Sequence, residues 1–497
     1  MENTFKTAMT TTLTENGALS YNTTTNARVD LFFKLTRDFH QNNNFKMFIE
    51  KSLNEDKLDT LKIIFNGRDS RGGKGDRESF LQAQEYLRQN YTDLWYKNVH
   101  LFPEYGRYSD WYEKFNNYTE EEKKYIIELT VKQLMEDYQN MNEVKSISLL
   151  AKWIPSEDKK LNRSNLLIYI CSELFKCDKI TSFHLKKLRK EYITPLRAYL
   201  NIVERLMCQD KWDEIDFSKV PSCAMYKLKK AFERNSPCEF NNYLQQVESG
   251  QKKINASQIF PHDLVKIYLS SYVNIDRVAE AQWNEIVTSV KKLGTFDKAL
   301  VISDVSGSMT GTPMEVSIGL GILIANITKE PFNNCLLTFS ENPIFHIIPK
   351  TAISLKDKVD SVSKMGWGMT TNLTKVFDLI LDRAINFKLK ENDMPEKLYI
   401  ISDMQFNQAS NNNQTNFEYI NTKYKNAGYE RPKLIFWNVR SNTTQDFPVD
   451  SSTLDVALIS GFSPSILKSV LNGKDFTPYG ILRTTIDDER YSLIKID

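Results

Sequence analysis

Three oxygen-bearing side chains, Asp304, Ser306 and Ser308, alternate with Val305 and Gly307 immediately after the apolar run at 298–303. A carboxylate and two hydroxyls at alternate positions of a turn can converge on one hard cation. Mg²⁺ prefers oxygen ligands in octahedral geometry and keeps several waters, so a few protein ligands suffice. Two further pieces have fitting chemistry. A glycine-rich run at 366–371 brings Thr370 and Thr371 to the start of a helical stretch, and the apolar run at 399–402 leads into Asp403. The competing account has Ser306 and Ser308 merely capping the next helix, with Asp403 a turn residue. Hydrolysis is disfavoured, because a serine nucleophile needs a base and no histidine lies near Ser306 in the sequence. A non-enzymatic, metal-binding role is expected.

These residues need a scaffold that ends several strands at one edge. From Phe296 onward, short apolar runs at 298–303, 334–339, 344–348, 397–402, 433–437 and 455–459 alternate with stretches of helical period. The helical stretches are 313–326, 355–365, 373–387, 417–427 and 464–471. Such alternation predicts a doubly wound, mostly parallel sheet with helices on both faces. Sheets of that kind bind ligands beyond the carboxyl ends of their strands, where Asp304 and Asp403 are expected. Residues 27 to about 290 carry helical periodicity instead, as in 123–138, 195–207 and 262–272. They predict an all-α, HEAT-like stack of irregular helix pairs. The expected division is a flexible leader at 1–26, a helical repeat-like module at 27–295, and an α/β domain at 296–497.

The carboxy-terminal pattern resembles the von Willebrand A domain with its metal-ion-dependent adhesion site, a DxSxS turn joined by a distant Thr and a distant Asp. Asp304, Ser306 and Ser308 match the turn. Thr371, which precedes Asn372 and Leu373, matches the Thr, with Thr370 the alternative because Met369-Thr370 stands where a glycine is typical. Asp403 matches the last Asp, although Met404 and Gln405 come next where glycine is common. The resemblance implies a bound Mg²⁺ or another divalent cation with one open position. An Asp or Glu of a protein partner, or a water, would complete it.

The helical half offers cations. Arg68, Arg71, Lys74 and Arg77 surround Gly72, Gly73 and Gly75, without the spacing of a nucleotide-binding P-loop. They could present charge and backbone N–H groups to phosphate, or form a solvated interhelical turn paired with acids. A second basic run holds Lys186, Lys187, Arg189 and Lys190, which also reads as the outer face of an amphipathic helix. Order and local phrases, including Arg-Gly-Gly-Lys-Gly-Asp-Arg, Ala151-Lys-Trp-Ile-Pro-Ser-Glu and Phe217-Ser-Lys-Val-Pro-Ser, make the chain similar to the Ro (TROVE-type) ribonucleoproteins and to a related branch of the same layout. That resemblance implies an RNA-binding scaffold, binding single-stranded or small structured RNA, whose A domain recognises a ligand through Mg²⁺. The alternative is a metal-dependent protein-interaction module without RNA. A basic surface formed by these residues would favour RNA; scattering among acids would favour the protein partner.

Bulk properties narrow the field little further. The 497 residues carry 65 basic and 63 acidic side chains, a net charge of +2, so any nucleic-acid site must be a local patch. Six unpaired-looking cysteines argue for a reducing compartment. No apolar run is long enough for a membrane span, and the first residues lack the apolar core of a signal peptide. A cytoplasmic protein with no membrane partner is expected.

Overall fold

In a computed structural model, residues 11–155, 165–269, 274–294, 296–339, 343–365, 371–408, 415–441 and 446–497 are described. Thr370, the glycine run at 366–369 and residues 1–10 of the expected leader lie outside them. The chain divides into two compact units. One comprises residues 1–83, 221–227 and 244–492; the other 84–220, 228–243 and 493–497.

The first unit is built on a six-stranded sheet. Its strands are β3 (Ala299–Ser303), β4 (Cys335–Thr338), β5 (Phe345–Ile347), β6 (Lys397–Ser402), β7 (Lys433–Asn438) and β8 (Val456–Ser460), in the order β5-β4-β3-β6-β7-β8. All neighbours are parallel except β5 against β4. Strands β3, β4 and β8 are buried at every position, as strands covered on both faces must be. The helix Thr312–Ile327 lies so close to β3 that a Cβ on Gly321 would come within 2.0 Å of Ser303 Oγ. Its other side meets the helix Pro261–Leu269, where a Cβ on Gly319 would sit 3.0 Å from the His262 backbone nitrogen. Another pair of helices, Leu373–Asn386 and Asn416–Asn426, packs through Phe377 and Tyr424, whose hydroxyl donates to the Phe377 carbonyl at 3.1 Å.

Helices from the first part of the sequence belong to this same unit. The helix Ala27–Lys34 is capped by Asn26, whose side chain accepts from Val29 N, and is buried from Val29 to Lys34. Its free carbonyls take hydrogen bonds from strand ends: Ser460 Oγ donates to Phe32 O at 2.8 Å and Asn438 Nδ2 to Phe33 O at 3.2 Å. Asp59, on the helix Lys57–Arg68, receives Arg28 at 2.8 Å and Arg483 at 2.5 Å. The expected border at 295/296 is therefore not the border of the compact units. A helix buried all round cannot stand as part of a separate solvated stack, and this one completes the sheet's core.

The leader is corrected too. Strands β1 (Thr11–Leu13) and β2 (Leu19–Tyr21) form an antiparallel hairpin. Thr14 Oγ1 donates to Phe406 O at 2.7 Å, and Tyr21 exchanges backbone hydrogen bonds with Phe447 at 2.9 and 2.7 Å. Short strands of Thr and Ser escaped notice because their side chains show little apolar alternation.

The second unit is helical. Its longest helix, Glu120–Asn142, starts with a capping box in which Thr119 and Glu122 satisfy each other's backbone N–H groups. Glu122 also holds Arg88 at 2.8 Å. Trp95, Trp111, Phe115 and Tyr118 fill one core, and Phe217, Phe232 and Phe240 pack edge-on or tilted in another. Among the described residues no helix is long and apolar enough to cross a membrane. The six cysteines are free thiols, Cys171 and Cys335 buried.

Candidate functional site

Strands β3 and β6 are parallel neighbours with Ser303 opposite Ile401, so the chain leaves the sheet at one edge through both Asp304 and Asp403. Asp304 is fully buried. Its backbone nitrogen donates to Ile401 O at 3.0 Å, its Oδ2 accepts from Ser402 Oγ at 2.6 Å, and its Oδ1 accepts from Ser306 N at 2.9 Å. Ser306 begins the short 3₁₀ turn Gly307–Met309 without a side-chain capping bond, so its hydroxyl is not spent on the helix. Ser306 Oγ lies 3.1 Å from Ser308 Oγ, and the Ser308 side chain is close enough to the Asp403 carboxylate to pull its pKa down. Asp304, Ser306, Ser308 and Asp403 thus form one connected cluster.

The next two residues of the chain hold Asp403 in place. Gln405 N donates to its Oδ1 at 3.2 Å, and Met404 turns the chain with φ +67°, the left-handed conformation that glycine adopts most easily. Gln405 also ties the edge to the hairpin: Asn16 Nδ2 donates to its carbonyl at 2.7 Å and Glu15 N to its Oε1 at 2.8 Å. Thr371 is buried, and its carbonyl accepts from Asn407 N at 2.9 Å, four residues beyond Asp403.

The electrostatics stem from burial. Desolvation raises the pKa of Asp304, and repulsion from Asp403 raises it further. Asp403 is raised chiefly by burial, with a small further push from Asp446, against the pull of Ser308, the Gln405 backbone N–H and Arg440. Arg440, just past β7, donates through Nη1 to Ser308 O. Lys34 is almost fully buried on the other side and donates to Asp446 O at 2.8 Å; burial lowers its pKa while Asp446, Asp30 and Asp403 raise it. Among the described residues no three His, Cys, Asp or Glu side chains gather as a metal cluster. The donors here are two carboxylates and neighbouring hydroxyls, all hard oxygens suited to Mg²⁺ rather than to a soft metal.

Lys34, Ser402, Gln405 and Arg440 were missed at the sequence level. Ser402 and Arg440 had a usable signal, since both lie at carboxyl ends of apolar strands. Lys34 sits in a helix far upstream and had none.

The basic residues fare differently. Lys74 is buried: its Nζ donates to Phe32 O, to Leu35 O at 3.2 Å and to Ser460 Oγ at 2.6 Å. Burial lowers its pKa to about 7. Arg68 is buried at the end of its helix. The glycine turn around them directs its N–H groups inward, Lys74 N to Asn66 O at 3.0 Å, Gly75 N to Asp69 O at 3.1 Å and Asp76 N to Gly67 O at 2.8 Å. Burial takes Arg68, and internal bonding takes Lys74 and the N–H groups of Gly73, Lys74, Gly75 and Asp76, away from phosphate, and the turn is not a fully solvated loop either. Arg71 is exposed, and Arg77 is half-buried and paired with Glu78 at 3.6 Å. Lys186, Arg189 and Lys190 are exposed, while Lys187 lies 5.0 Å from the Phe175 ring centre. These four belong to the other compact unit.

Two family models match the chain in tandem. Residues 14–105 and 124–296 match a domain of unknown function (DUF2828), and residues 298–490 match a domain of unknown function (DUF7788). The chain is also similar to Uncharacterized protein L728 of Acanthamoeba polyphaga mimivirus, 36% identical over 504 residues that cover 94% of this chain and 86% of that protein. With one model matching more than half of its length and a relative this similar along nearly all of it, the chain belongs to the DUF2828 family.

Proposed function

We propose that the sheet and its helices form a von Willebrand A-type domain, and that Asp304, Ser306, Ser308, Thr371 and Asp403 hold Mg²⁺ or another divalent cation. In this reading the protein works by metal-dependent recognition of an acidic group on a protein partner, without catalysis. The observation that carries it is the pair of buried carboxylates at the ends of adjacent parallel strands, each pushed toward protonation by its surroundings, with the Ser306 and Ser308 hydroxyls 3.1 Å apart beside them and Ser306 making no helix-cap bond. Two close buried carboxylates are costly by themselves, and a divalent cation removes that cost. The sheet order, five parallel strands with an antiparallel edge, supports the same reading.

RNA binding of the Ro type is the second reading. It keeps Lys186, Arg189 and Lys190, exposed on a helix and its extension, together with exposed Arg71. It loses Arg68 and Lys74, which are engaged inside the protein. The metal-dependent protein-interaction reading is therefore preferred.

Calorimetric titration with Mg²⁺ tests it. Removing a group that merely orients a metal ligand costs 10–100-fold in affinity, so Asp304→Ala should weaken Mg²⁺ binding by about a hundredfold or more. The fold should survive, because the substitution also relieves repulsion from Asp403. Unchanged Mg²⁺ affinity in Asp304→Ala would refute the proposal.

A further inference from the structure

Beside the carboxylate cluster lies a cavity of about 320 Å³, lined by Arg37, Asp38, Thr310, Thr312, Arg440 and Phe462 among others. Arg37 stands out in it. Its guanidinium carbon is 4.8 Å from the Phe260 ring centre and 4.9 Å from that of Phe462, so two aromatic rings hold the flat group in place. Its Nε is buried without a hydrogen-bond partner. Asp76 and Asp263 attract it electrostatically, but neither forms an ion pair with it among the described residues. A buried guanidinium nitrogen with no hydrogen-bond partner is expensive, and an anion would complete it.

The rest of the wall has matching chemistry. Arg440 supplies a second guanidinium and links the cavity to the carboxylate cluster through Ser308 O. Thr312 opens the sixteen-residue helix Thr312–Ile327, whose N-cap, Gly311, provides no side-chain acceptor for the first turn, so the positive end of the helix faces this region. Asp38 is the opposing charge; its Oδ1 is occupied by Thr36 Oγ1 at 2.5 Å and Ser441 N at 3.2 Å.

We propose that this cavity is an oxyanion site for a phosphoryl group, either free phosphate or a phosphorylated side chain, with Arg37 as its principal ligand. The Arg37 guanidinium matches phosphate oxygens in shape and charge, Arg440 adds a second positive charge to the wall, and the volume accommodates one such group. The site adjoins the proposed cation centre and deepens that reading, since a partner could then be held at two points. It does not depend on the metal for its own donors.

The test is calorimetric titration of the full chain with three probes, inorganic phosphate, a short phosphoserine peptide and its unphosphorylated counterpart, each in EDTA and in Mg²⁺. Wild type should bind phosphate or the phosphopeptide, or both, but not the unphosphorylated peptide. Binding of phosphate alone marks a small-anion site; tighter binding of the phosphopeptide marks a partner's modified side chain. Arg37→Gln should weaken binding about tenfold or more while leaving Mg²⁺ affinity unchanged. Arg37→Lys, which keeps the charge and much of the packing, should fall between the two and serves if the glutamine variant does not fold. Asp304→Ala should lose Mg²⁺ yet bind phosphate in EDTA like wild type, so the two readings fail separately. Absence of phosphate and phosphopeptide binding in wild type, or equal binding by folded Arg37 variants, would overturn the proposal.

Discussion

At the scale of single residues, burial decides what each ionisable group does. His262 is buried, stacked on Phe260 at 5.7 Å and edge-on to Phe462 at 5.3 Å, with Nδ1 lacking a partner. Desolvation pushes its pKa down, with Arg37 and Lys266 adding to that and Asp263 opposing it. The folded protein therefore takes up this proton at lower pH than the unfolded chain, whose histidine titrates near about 6.5. Stability from the neutral imidazole is full above that pH and is lost as the pH falls below it. Denaturant midpoints measured from pH 8 to pH 5 should fall for wild type and fall less for His262→Phe; parallel curves would contradict the assignment. The same principle explains what the sequence disclosed at this scale. Asp304, Ser306 and Ser308 were legible because the turn is local and its oxygens alternate. Lys34 was not, because its proximity to Asp403 is created by tertiary packing rather than by any local spacing; Arg440 had only the weaker signal of its place at the end of an apolar strand.

Among the elements, the glycine turn between the helices Lys57–Arg68 and Arg77–Asn90 changes meaning most. Its composition left a phosphate cradle and a solvated, acid-paired turn both open, but the structure spends its N–H groups on carbonyls at the end of the preceding helix and its cap, and Lys74 on a strand end. A Cβ on Gly73 would come within 2.1 Å of Asn66 O and 2.9 Å of Asp69 Cβ, whereas one on Gly72 would meet its neighbours at 3.1 Å or more, one of them the flexible Arg490 side chain. Gly73→Ala should therefore cost on the order of 3 kcal/mol by overpacking, and Gly72→Ala less than about 1 kcal/mol. Equal urea midpoints for the two variants would show that the turn is not tightly packed at Gly73. The parallel strands were legible from their continuous apolar runs, each flanked by helical periods, and the boundaries agree closely for β6 and β7. The β1–β2 hairpin was not, since three-residue strands rich in Thr and Ser carry too little pattern.

For the whole molecule, the change of sequence grammar at Phe296 coincides with the meeting of two family models, yet the first compact unit draws on both sides of it. Helical periodicity shows that residues 27–68 are helices but cannot show which core they join. With Arg68 and Lys74 buried and the remaining cations divided between units, no retention of single-stranded RNA on filters is expected at about 50 mM salt. Retention with a steep salt slope, flattened by replacing Lys186, Arg189 and Lys190 with Ala, would favour the ribonucleoprotein reading; each lost phosphate contact should change the log–log slope by about 0.7. The central claim concerns the edge where β3 and β6 deliver Asp304 and Asp403. Crystals soaked in Mn²⁺, an anomalous scatterer with oxygen preferences like those of Mg²⁺, test it most directly. The expected result is one strong anomalous peak within coordinating distance of Asp304, Asp403 or the Ser306 and Ser308 hydroxyls, absent in Asp304→Ala. Ordered Mn²⁺ only elsewhere, or two well-resolved carboxyl groups bonded to each other with no metal at millimolar Mn²⁺, would contradict it.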